Sequence, residues 1–515
     1  MTKGIDVIVI GCGHNGLVCA GYLAKAGLNV HCFEANNSVG GMTAPYDLGD
    51  GYETAGLATV GYPLRSSIVR DLNLREHGYQ PGPAIDTISL ADNGDHLVIS
   101  EKEVLSNNIP EDEANRFKQL KADYREYAKK LEPIFCNKPP RLKNMDWSDK
   151  FLLGKLGWNA RFGLGRESMY ELLRVAGSNI YDVLNDSLSN EQLKAAIAWD
   201  AVLGSAMGPR SPGTVMTWLQ RLGGELNGPL HQYCDVSTSV STALLKAADS
   251  LGVTVHLNAE VKRILTQDSK VAGIELANGE ALQAKTVVSN VDPRTTLLRL
   301  VGAPSLDAMF AHRVSQIRGQ GVVAKMYFAL RGQPEFPGLN DSQLKGKLLI
   351  APTMQYIERA YNHSKYGECS EAPVIEVTLP TTHNPGLAPP GANMMAVNVA
   401  FVPYRFAGEP EREALVKKTI AKISEFCPKL ESLIVKHRLL TPKDIEQRYH
   451  AVQGHWHHGE LTLHQSFMMR PLYGAAQYDT PVHGLFLCGA GCHPGGNVTG
   501  LPGYNAAKRL LKTRS

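Results

Sequence analysis

Patterned cysteines, long apolar runs and an excess of charge of one sign are all missing from this sequence of 515 residues. Its nine cysteines form no CxxC pair, and no histidine and cysteine cluster has the spacing of a zinc site. An odd number of unpatterned cysteines is typical of reduced thiols in a reducing compartment. We therefore expect no disulfide framework and no bound metal.

No apolar run approaches the ~18 residues that a membrane-spanning helix needs, and residues 1–6 lack the basic and apolar parts of a signal peptide. Lysine and arginine total 53 against 50 acidic residues, and the basic residues form no stripe. A balanced charge distribution of this kind excludes nucleic acid as the main partner. We expect a cytoplasmic protein, either soluble or peripheral to a membrane.

The first forty residues follow the order strand, glycine-rich turn, helix, strand. An apolar run at 7–10 precedes GCGHNG, a helical pattern continues to Ala26, and a second apolar run at 30–33 ends at an acid. This spacing is typical of a βαβ unit that binds a dinucleotide, with the pyrophosphate at the helix N-terminus and a ribose at the acid. An ordinary βα turn is the alternative. The predicted contacts are Gly11, Gly13, His14, Asn15, Gly16 and Glu34.

The acid is followed by an alanine and, at the end of the loop, by two glycines and a methionine. A nicotinamide fingerprint does not require this extension. It resembles the motif of the FAD-dependent superfamily that contains phytoene desaturases, flavin amine oxidases and Rab GDP-dissociation inhibitors. The resemblance implies noncovalently bound FAD, and it adds as cofactor contacts Ala35, Gly40, Gly41 and Met42.

A segment in the middle of the chain strengthens this resemblance. The pattern predicts a helix at 239–251, strands at 253–257 and 287–290, and a hairpin turn at Asn278-Gly279. It resembles the second stretch of the family's FAD domain, whose backbone contacts the adenine. The resemblance implies cofactor contacts from Val261 and Asn290.

A second strand, glycine-rich turn and helix lie near the C-terminus. A buried strand within 484–491 runs into a turn at 494–500 and a helix from about 502 to 512. In the family this turn lies beside the flavin ring; a purely structural corner is the alternative. The resemblance implies cofactor contacts from Gly489, Gly491, Asn497, Val498 and Thr499.

The resemblance covers essentially the whole chain and is strongest to the phytoene desaturase-like branch that includes the pyridine nucleotide-disulphide oxidoreductase domain-containing proteins of type 2. Motifs at 13–18, 289–293, 441–446, 458–461, 470–471 and 488–496 carry it. It implies an α/β fold, in which a discontinuous Rossmann-like FAD-binding domain accompanies an α+β substrate domain. We assign 1–70, 230–300 and 475–515 to the first domain, and 71–229 and 301–474 to the second, with a helical or lid segment at about 140–225.

Two departures from the family pattern leave the substrate open. Residues 231–235 replace the usual Gly-Gly-Met-Gly turn, and Asn497 replaces a glycine. The sequence also lacks a CxxxxC pair and a second GxGxxG motif, so disulphide reductase chemistry is not expected.

Lys325 and a histidine cluster are the candidate catalytic residues. Lys325 interrupts the apolar run 322–328; similar placement in flavin amine oxidases puts a lysine near flavin N5, and exposure to solvent is the alternative. Near neutral pH a histidine of the cluster could act as a general base, line the substrate cavity or serve structure. In an extended strand His455 and His457 would share one face, and His458 and Glu460 the other.

A basic amphipathic segment at 146–166 could dock on an anionic bilayer, although a core or lid helix is the alternative.

Taken together, the sequence predicts dehydrogenation of a hydrophobic small molecule, carotenoid-like or otherwise lipophilic, by hydride transfer to flavin N5. Oxygen, a quinone or diffusible NAD(P) would take up the electrons. Amine oxidation is one alternative, and a non-catalytic binding protein of the GDP-dissociation-inhibitor type is another. The sequence does not indicate the oligomeric state.

Overall fold

The computed structural model of the chain describes residues 4–101, 103–106, 109–141, 145–158, 170, 174–175, 177–235, 239–406 and 408–514. The strands are β1 (Val7–Ile10), β2 (Val30–Phe33), β3 (Tyr46–Gly49), β4 (Tyr52–Thr54), β5 (Val60–Gly61), β6 (Thr87–Ser89), β7 (Leu97–Ile99), β8 (Val104–Leu105), β9 (His231–Gln232), β10 (Thr254–His256), β11 (Val261–Gln267), β12 (Lys270–Leu276), β13 (Ala281–Gln283), β14 (Val287–Ser289), β15 (Val323–Leu330), β16 (Lys347–Ile350), β17 (Ile375–Thr378), β18 (Asn393–Ala400), β19 (Ile434–Leu440) and β20 (Leu485–Leu487).

The α-helices among the described residues are α1 (His14–Lys25), α2 (Ser66–Asp71), α3 (Glu111–Phe135), α4 (Trp147–Trp158), α5 (Ile180–Ser187), α6 (Glu191–Val202), α7 (Thr214–Glu225), α8 (Val240–Ser250), α9 (Ala308–Ser315), α10 (Met354–Lys365), α11 (Glu409–Ser424), α12 (Leu430–Leu433), α13 (Pro442–Tyr449) and α14 (Leu501–Arg514).

A five-stranded parallel sheet has the order β10-β2-β1-β14-β20. Helix α1 packs on β1 and β2 and contacts both α8 and α14. The central strand β1 is apolar throughout and buried, as expected for a parallel strand that is covered on both faces. All five strands lie within the three segments that the sequence assigns to the Rossmann-like domain.

An eight-stranded mixed sheet forms the second layer, in the order β19-β15-β18-β17-β16-β6-β7-β8. Its strands pair antiparallel except for β16 and β6, which run parallel. Helices α3, α5, α6, α7 and α10 pack together against this sheet around a second apolar core. Strand β15 is buried along its whole length, because other elements cover both of its faces. The α/β fold predicted from the sequence is confirmed.

Several local predictions are confirmed as well. Helix α8 begins after Ser239, whose hydroxyl accepts a hydrogen bond from the backbone N–H of Thr242 at 3.3 Å. The Asn278-Gly279 turn joins the antiparallel strands β12 and β13. At both places a short-range signal, a helix cap or a hairpin turn, is sufficient to specify the local structure.

The amphipathic segment at 146–166 is described only as far as the end of α4, and its remainder lies outside the described residues. On α4 the side chains of Trp147 and Phe151 are 85% and 75% exposed. None of the described helices is long and apolar enough to cross a lipid bilayer.

The glycine-rich turn between β1 and α1 tolerates no side chain at Gly16, because a Cβ there would lie 2.2 Å from the carbonyl oxygen of Gly11. We predict that Gly16→Ala lowers the free energy of unfolding by about 1–3 kcal/mol, the usual cost of overpacking. Gly154→Ala on α4 is the control, since its Cβ would meet nothing within 4 Å. Urea unfolding of both variants tests this, and equal midpoints would contradict the packing argument.

Candidate functional site

A cavity of about 340 Å³ lies where the carboxyl ends of β1, β2 and β14 meet the start of α1. This volume falls in the range of small-molecule sites. The wall brings together residues that the sequence predicts from three separate segments: Gly11, Gly13, His14, Asn15, Glu34, Ala35, Gly40, Gly41, Met42, Val261, Asn290 and His458.

The glycines of the first turn have two different roles. Gly13 lines the cavity, and a Cβ there would lie 2.7 Å from Nδ2 of Asn290, so the wall has no room for a side chain. Gly11 has a φ of +87°, which only glycine adopts readily. Gly16 does not line the cavity but lets α1 pack closely on the turn.

The start of α1 faces this cavity without a cap from the chain. Its N-cap is Gly13, which provides no side-chain hydrogen bond, and its first turn contains no acidic residue. The first N–H groups of a helix lack intrahelical partners, and they carry the positive end of the helix dipole. Nε2 of His14 is also buried without a hydrogen-bond partner. This wall therefore suits an anionic ligand such as a pyrophosphate.

Glu34 lies buried at the end of β2 in the same wall. Its Oε2 accepts a hydrogen bond from the backbone N–H of Cys12 at 2.8 Å, and its Oε1 accepts from the N–H of Asn36 at 3.1 Å. Its Oε1 also accepts from Nδ2 of Asn36 at 3.1 Å, so one of the about four acceptor sites of a carboxylate is left for a ligand hydroxyl.

A second cavity of about 130 Å³ adjoins the first, and His14, Met42, Trp456 and Ala490 line both. The C-terminal turn contributes Asn497 and Val498, as the sequence predicts, and the histidine segment contributes His457. The further predicted residues Gly489, Gly491 and Thr499 line neither cavity.

Gly489 and Gly491 allow neighbouring backbone segments to pack closely. A Cβ at Gly489 would lie 2.4 Å from the carbonyl oxygen of Asn290, and one at Gly491 would lie 2.5 Å from Cδ of Pro293. They let the C-terminal turn approach the end of β14, which positions Ala490 between the two cavities.

Lys325 lies behind the second cavity, on β15. It is 1% exposed, so the alternative that it points to solvent is wrong. Its Nζ donates to Oγ1 of Thr59 at 2.8 Å and to Oδ1 of Asn398 at 2.9 Å, and both of these residues line the cavity. Burial lowers the pKa of Lys325 to about 7, although nearby Glu376 opposes the shift.

The histidine segment is not extended, so the predicted division of its side chains between two strand faces is wrong. Residues 455–460 form a turn, with His458 in the left-handed region at a φ of 53°. The turn brings Nε2 of His455 to 3.5 Å from Oε2 of Glu460, while His457 and His458 line the cavities. Among the described residues no group of three histidine, cysteine or acidic side chains could hold a metal.

Burial determines what these histidines can do. It lowers the pKa of His457 well below its usual value and that of His458 to about 3, and neighbouring cationic groups add to both shifts. Burial also lowers the pKa of His14 to about 4. These imidazoles are therefore neutral at pH 7, where they serve as hydrogen-bond partners but are weak bases.

Arg470 explains why the histidine segment turns. This buried guanidinium donates from Nη1 to the carbonyl of Glu460 at 2.8 Å, and from Nη2 to those of His457 at 2.7 Å and Ala490 at 2.9 Å. One side chain thus joins the histidine turn to the C-terminal turn. The sequence places Arg470 in a motif of the family but indicates no role for it, because its partners are backbone carbonyls that no residue pattern reveals.

A row of polar side chains across the eight-stranded sheet was also not predicted as a site. Asn398 pairs in register with Lys325 on one side and with Glu376 on the other, and Nδ2 of Asn398 donates to Oε1 of Glu376 at 2.8 Å. Lys347 on β16 extends the row, and its Nζ lies 3.5 Å from Oε2 of Glu376. Because each member comes from a different strand, no local spacing marks the row.

Comparison with known proteins identifies the class. The model of the family described as flavin containing amine oxidoreductase matches residues 16–511, so the chain belongs to that family. It is a flavin-dependent oxidoreductase, as the sequence predicts.

Two relatives and one solved structure illustrate the similarity. Pyridine nucleotide-disulfide oxidoreductase domain-containing protein 2 of Mus musculus is 28% identical, over 98% of this chain and 93% of that protein. The neurosporene-forming phytoene desaturase of Cereibacter sphaeroides is 25% identical, over 69% of this chain and 70% of its own. Cyclohexylamine oxidase of Brevibacterium oxydans IH-35A shares the fold, with a TM-score of 0.58 and 15% identity, over 99% of this chain and 98% of that one.

We predict that Arg470→Met lowers the free energy of unfolding by more than about 3 kcal/mol, because several buried carbonyls lose their donor together. The flavin content of the purified protein should fall in parallel, since the two turns beside the second cavity are no longer joined. Thermal unfolding and absorbance measure both effects.

The control for Arg470→Met is Arg263→Met on β11, where the arginine is 61% exposed and paired with Glu275. It should change stability by no more than about 0.5 kcal/mol. An Arg470→Met variant as stable as this control would show that the guanidinium does not hold the turns.

Proposed function

We propose that the protein binds FAD noncovalently and dehydrogenates a largely apolar organic substrate by hydride transfer to flavin N5. The observation that carries this proposal is the pair of adjoining cavities. One has the wall of a dinucleotide site, and the other is a smaller space lined by both apolar and charged side chains.

The residues of the first cavity fit FAD. The uncapped start of α1 would bind the pyrophosphate, Glu34 would accept hydrogen bonds from ribose hydroxyls, and the backbone at Val261 would contact the adenine. The ring would lie where the cavities meet, beside Ala490. Here the ring nitrogens of His14, Trp456 and His458 include buried atoms without hydrogen-bond partners, which could bind polar edges of the flavin.

The bound flavin supplies the redox chemistry by accepting a hydride from the substrate. The chain would position the substrate in the second cavity, where Leu57, Val60 and Leu203 supply apolar surface. Lys325 would exchange a proton at Nζ near neutral pH and so balance the charge of the site. The sequence similarity to a phytoene desaturase supports an apolar substrate.

Amine oxidation is the second candidate. The buried Lys325 and the aromatic wall formed by Trp456 favour it, and so does the fold shared with cyclohexylamine oxidase. The two functions differ in the bond oxidised, C–C or C–N, so a panel of substrates separates them.

The absorbance of the bound flavin shows which class of substrate the protein oxidises. We expect the purified protein to be yellow and to bleach under anaerobic conditions when a suitable polyene or other apolar substrate is added, because the hydride reduces the flavin. Rapid recovery of colour in air would identify oxygen as the acceptor, and slow recovery would indicate a quinone or NAD(P). Bleaching by amines alone would favour the second candidate, and a protein unable to bind FAD would refute both.

Lys325 makes stability depend on pH. Its pKa is about 7 in the folded protein and ~10.4 in an unfolded chain, so the unfolded state binds more protons between these values. Stability should therefore rise with pH across this window, by up to about 1.4 kcal/mol per pH unit. Lys325→Met should abolish that rise, which urea unfolding from pH 6 to 10 measures.

Lys270→Met is the matched control for this experiment, since Lys270 is an exposed lysine at the start of β12. It should leave the pH dependence of the unfolding free energy unchanged. If Lys325→Met and the wild type show the same dependence, Lys325 is charged in the folded protein and cannot exchange a proton near pH 7.

A further inference from the structure

The second cavity contains charged groups that the proposed hydride transfer does not use. Arg221 of α7, Lys347 of β16 and Glu376 of β17 all line it. Asp200 of α6 lies directly behind them, within 3.1 Å of Nζ of Lys347 and 3.4 Å of Nη2 of Arg221. An apolar substrate alone would not require two cations in a cavity of this size.

The carboxylates of this cluster are already engaged by the chain. Glu376 accepts from Asn398 at Oε1, and at Oε2 it accepts from Nε1 of Trp199 at 3.1 Å and lies close to Lys347. Oδ1 of Asp200 accepts from Lys347 and also faces Arg221. Each carboxylate at this end of the cavity therefore already has a cationic or N–H partner from the chain.

Unlike Lys347, which pairs with both carboxylates, Arg221 has donor capacity left. Nε of Arg221 is buried and has no hydrogen-bond partner, and its only ion pair among the described residues is the 3.4 Å contact with Asp200. The guanidinium also lies over the ring of Tyr62, 5.5 Å from the centroid. A guanidinium has five N–H donors in a planar fork that matches a carboxylate. Most of that fork is unused.

We propose that Arg221 binds a carboxylate carried by an otherwise apolar substrate. This inference rests on the proposed function and names its substrate class: an organic acid whose apolar part lies against Leu57 and Val60. Arg221 and Asn497 line the same cavity, so an acid held by the guanidinium would extend toward the C-terminal turn and the flavin. Lys347 and Asn398 would complete the polar end of the site.

The same arrangement disfavours an ammonium group. A cationic amine in this cavity would meet Arg221 and Lys347, while both neighbouring carboxylates are already paired. Burying it without a free anionic partner is costly. Enzymes that act on acids and enzymes that act on amines can share one fold. The charges in the cavity therefore discriminate between the two substrate classes where the fold does not.

The test measures binding rather than turnover, using hexanoate, hexanamide and hexylamine as probes of equal chain length. Isothermal titration calorimetry of the purified holoenzyme should give a Kd for hexanoate at least about tenfold lower than that for hexanamide, because the carboxylate forms a bidentate ion pair and the amide accepts with a single neutral carbonyl. Hexylamine should bind more weakly than either.

Substitution of Arg221 tests whether this residue binds the carboxylate, and substitution of an arginine outside the cavity is the control. Arg221→Gln should weaken hexanoate binding by about tenfold to a hundredfold and weaken hexanamide binding much less, because the amide loses a hydrogen bond but no ion pair. Arg412→Gln is the matched control, since Arg412 is 21% exposed against 16% for Arg221 and pairs with Asp444 away from the cavity. It should bind hexanoate like the wild type. If Arg221→Gln does not fold, Arg221→Lys keeps the charge and should show an intermediate Kd.

Stronger binding of hexylamine than of hexanoate by the wild type would overturn the inference, as would an Arg221→Gln variant that binds hexanoate normally. The flavin content of the same samples separates this failure from failure of the proposed function. A yellow protein that prefers amines refutes the carboxylate site alone. A colourless protein that cannot bind FAD refutes the proposed function, whatever calorimetry shows.

Discussion

The carboxyl ends of parallel strands lie at the same edge of a sheet, and this constraint locates the site. Strands β1 and β20 come from opposite ends of the chain and both pair with β14, so their following turns meet. The N-terminal turn contributes His14, and the C-terminal turn contributes Ala490, to the boundary between the two cavities. Every other element of the site is arranged around this meeting point.

Buried charge is the second organising feature. Isolated ions are expensive to remove from water, and even paired ions recover that cost only with good geometry. Here Lys325, Asn398, Glu376 and Lys347 form a connected row across one sheet, and Arg221 joins it through Asp200. Stability alone does not explain such a row, because a packed apolar core would serve equally well. Its place beside the second cavity is the basis for the ligand-binding role that we propose.

The local parts of the site could be predicted from the sequence. The glycine motif at 11–16, the acid at Glu34 and the C-terminal turn each lie within one short stretch, and strand and helix periodicity sets their context. The apolar run around Lys325 predicts β15 but not the direction of its side chain. Burial of both faces of β15 decides that direction, and it depends on elements distant in the sequence.

The non-local parts could not be predicted. The polar row begins on β15, which pairs with β18 although β16 and β17 follow it in the chain, so no local spacing relates Lys325 to Asn398. The histidine turn forms because Arg470 draws carbonyl groups together, whereas a pattern of side chains suggests an extended strand. In both cases the contacts that determine the structure join residues whose spacing in the sequence forms no recognisable motif.

The central claim is that the two turns enclose the flavin of FAD where the cavities meet. The most direct measurement is to unfold the purified protein and identify the released cofactor by chromatography. The account predicts FAD, released without covalent attachment and in equimolar amount with the chain. Release of FMN or a nicotinamide dinucleotide, or a flavin that stays attached to the unfolded chain, would contradict it.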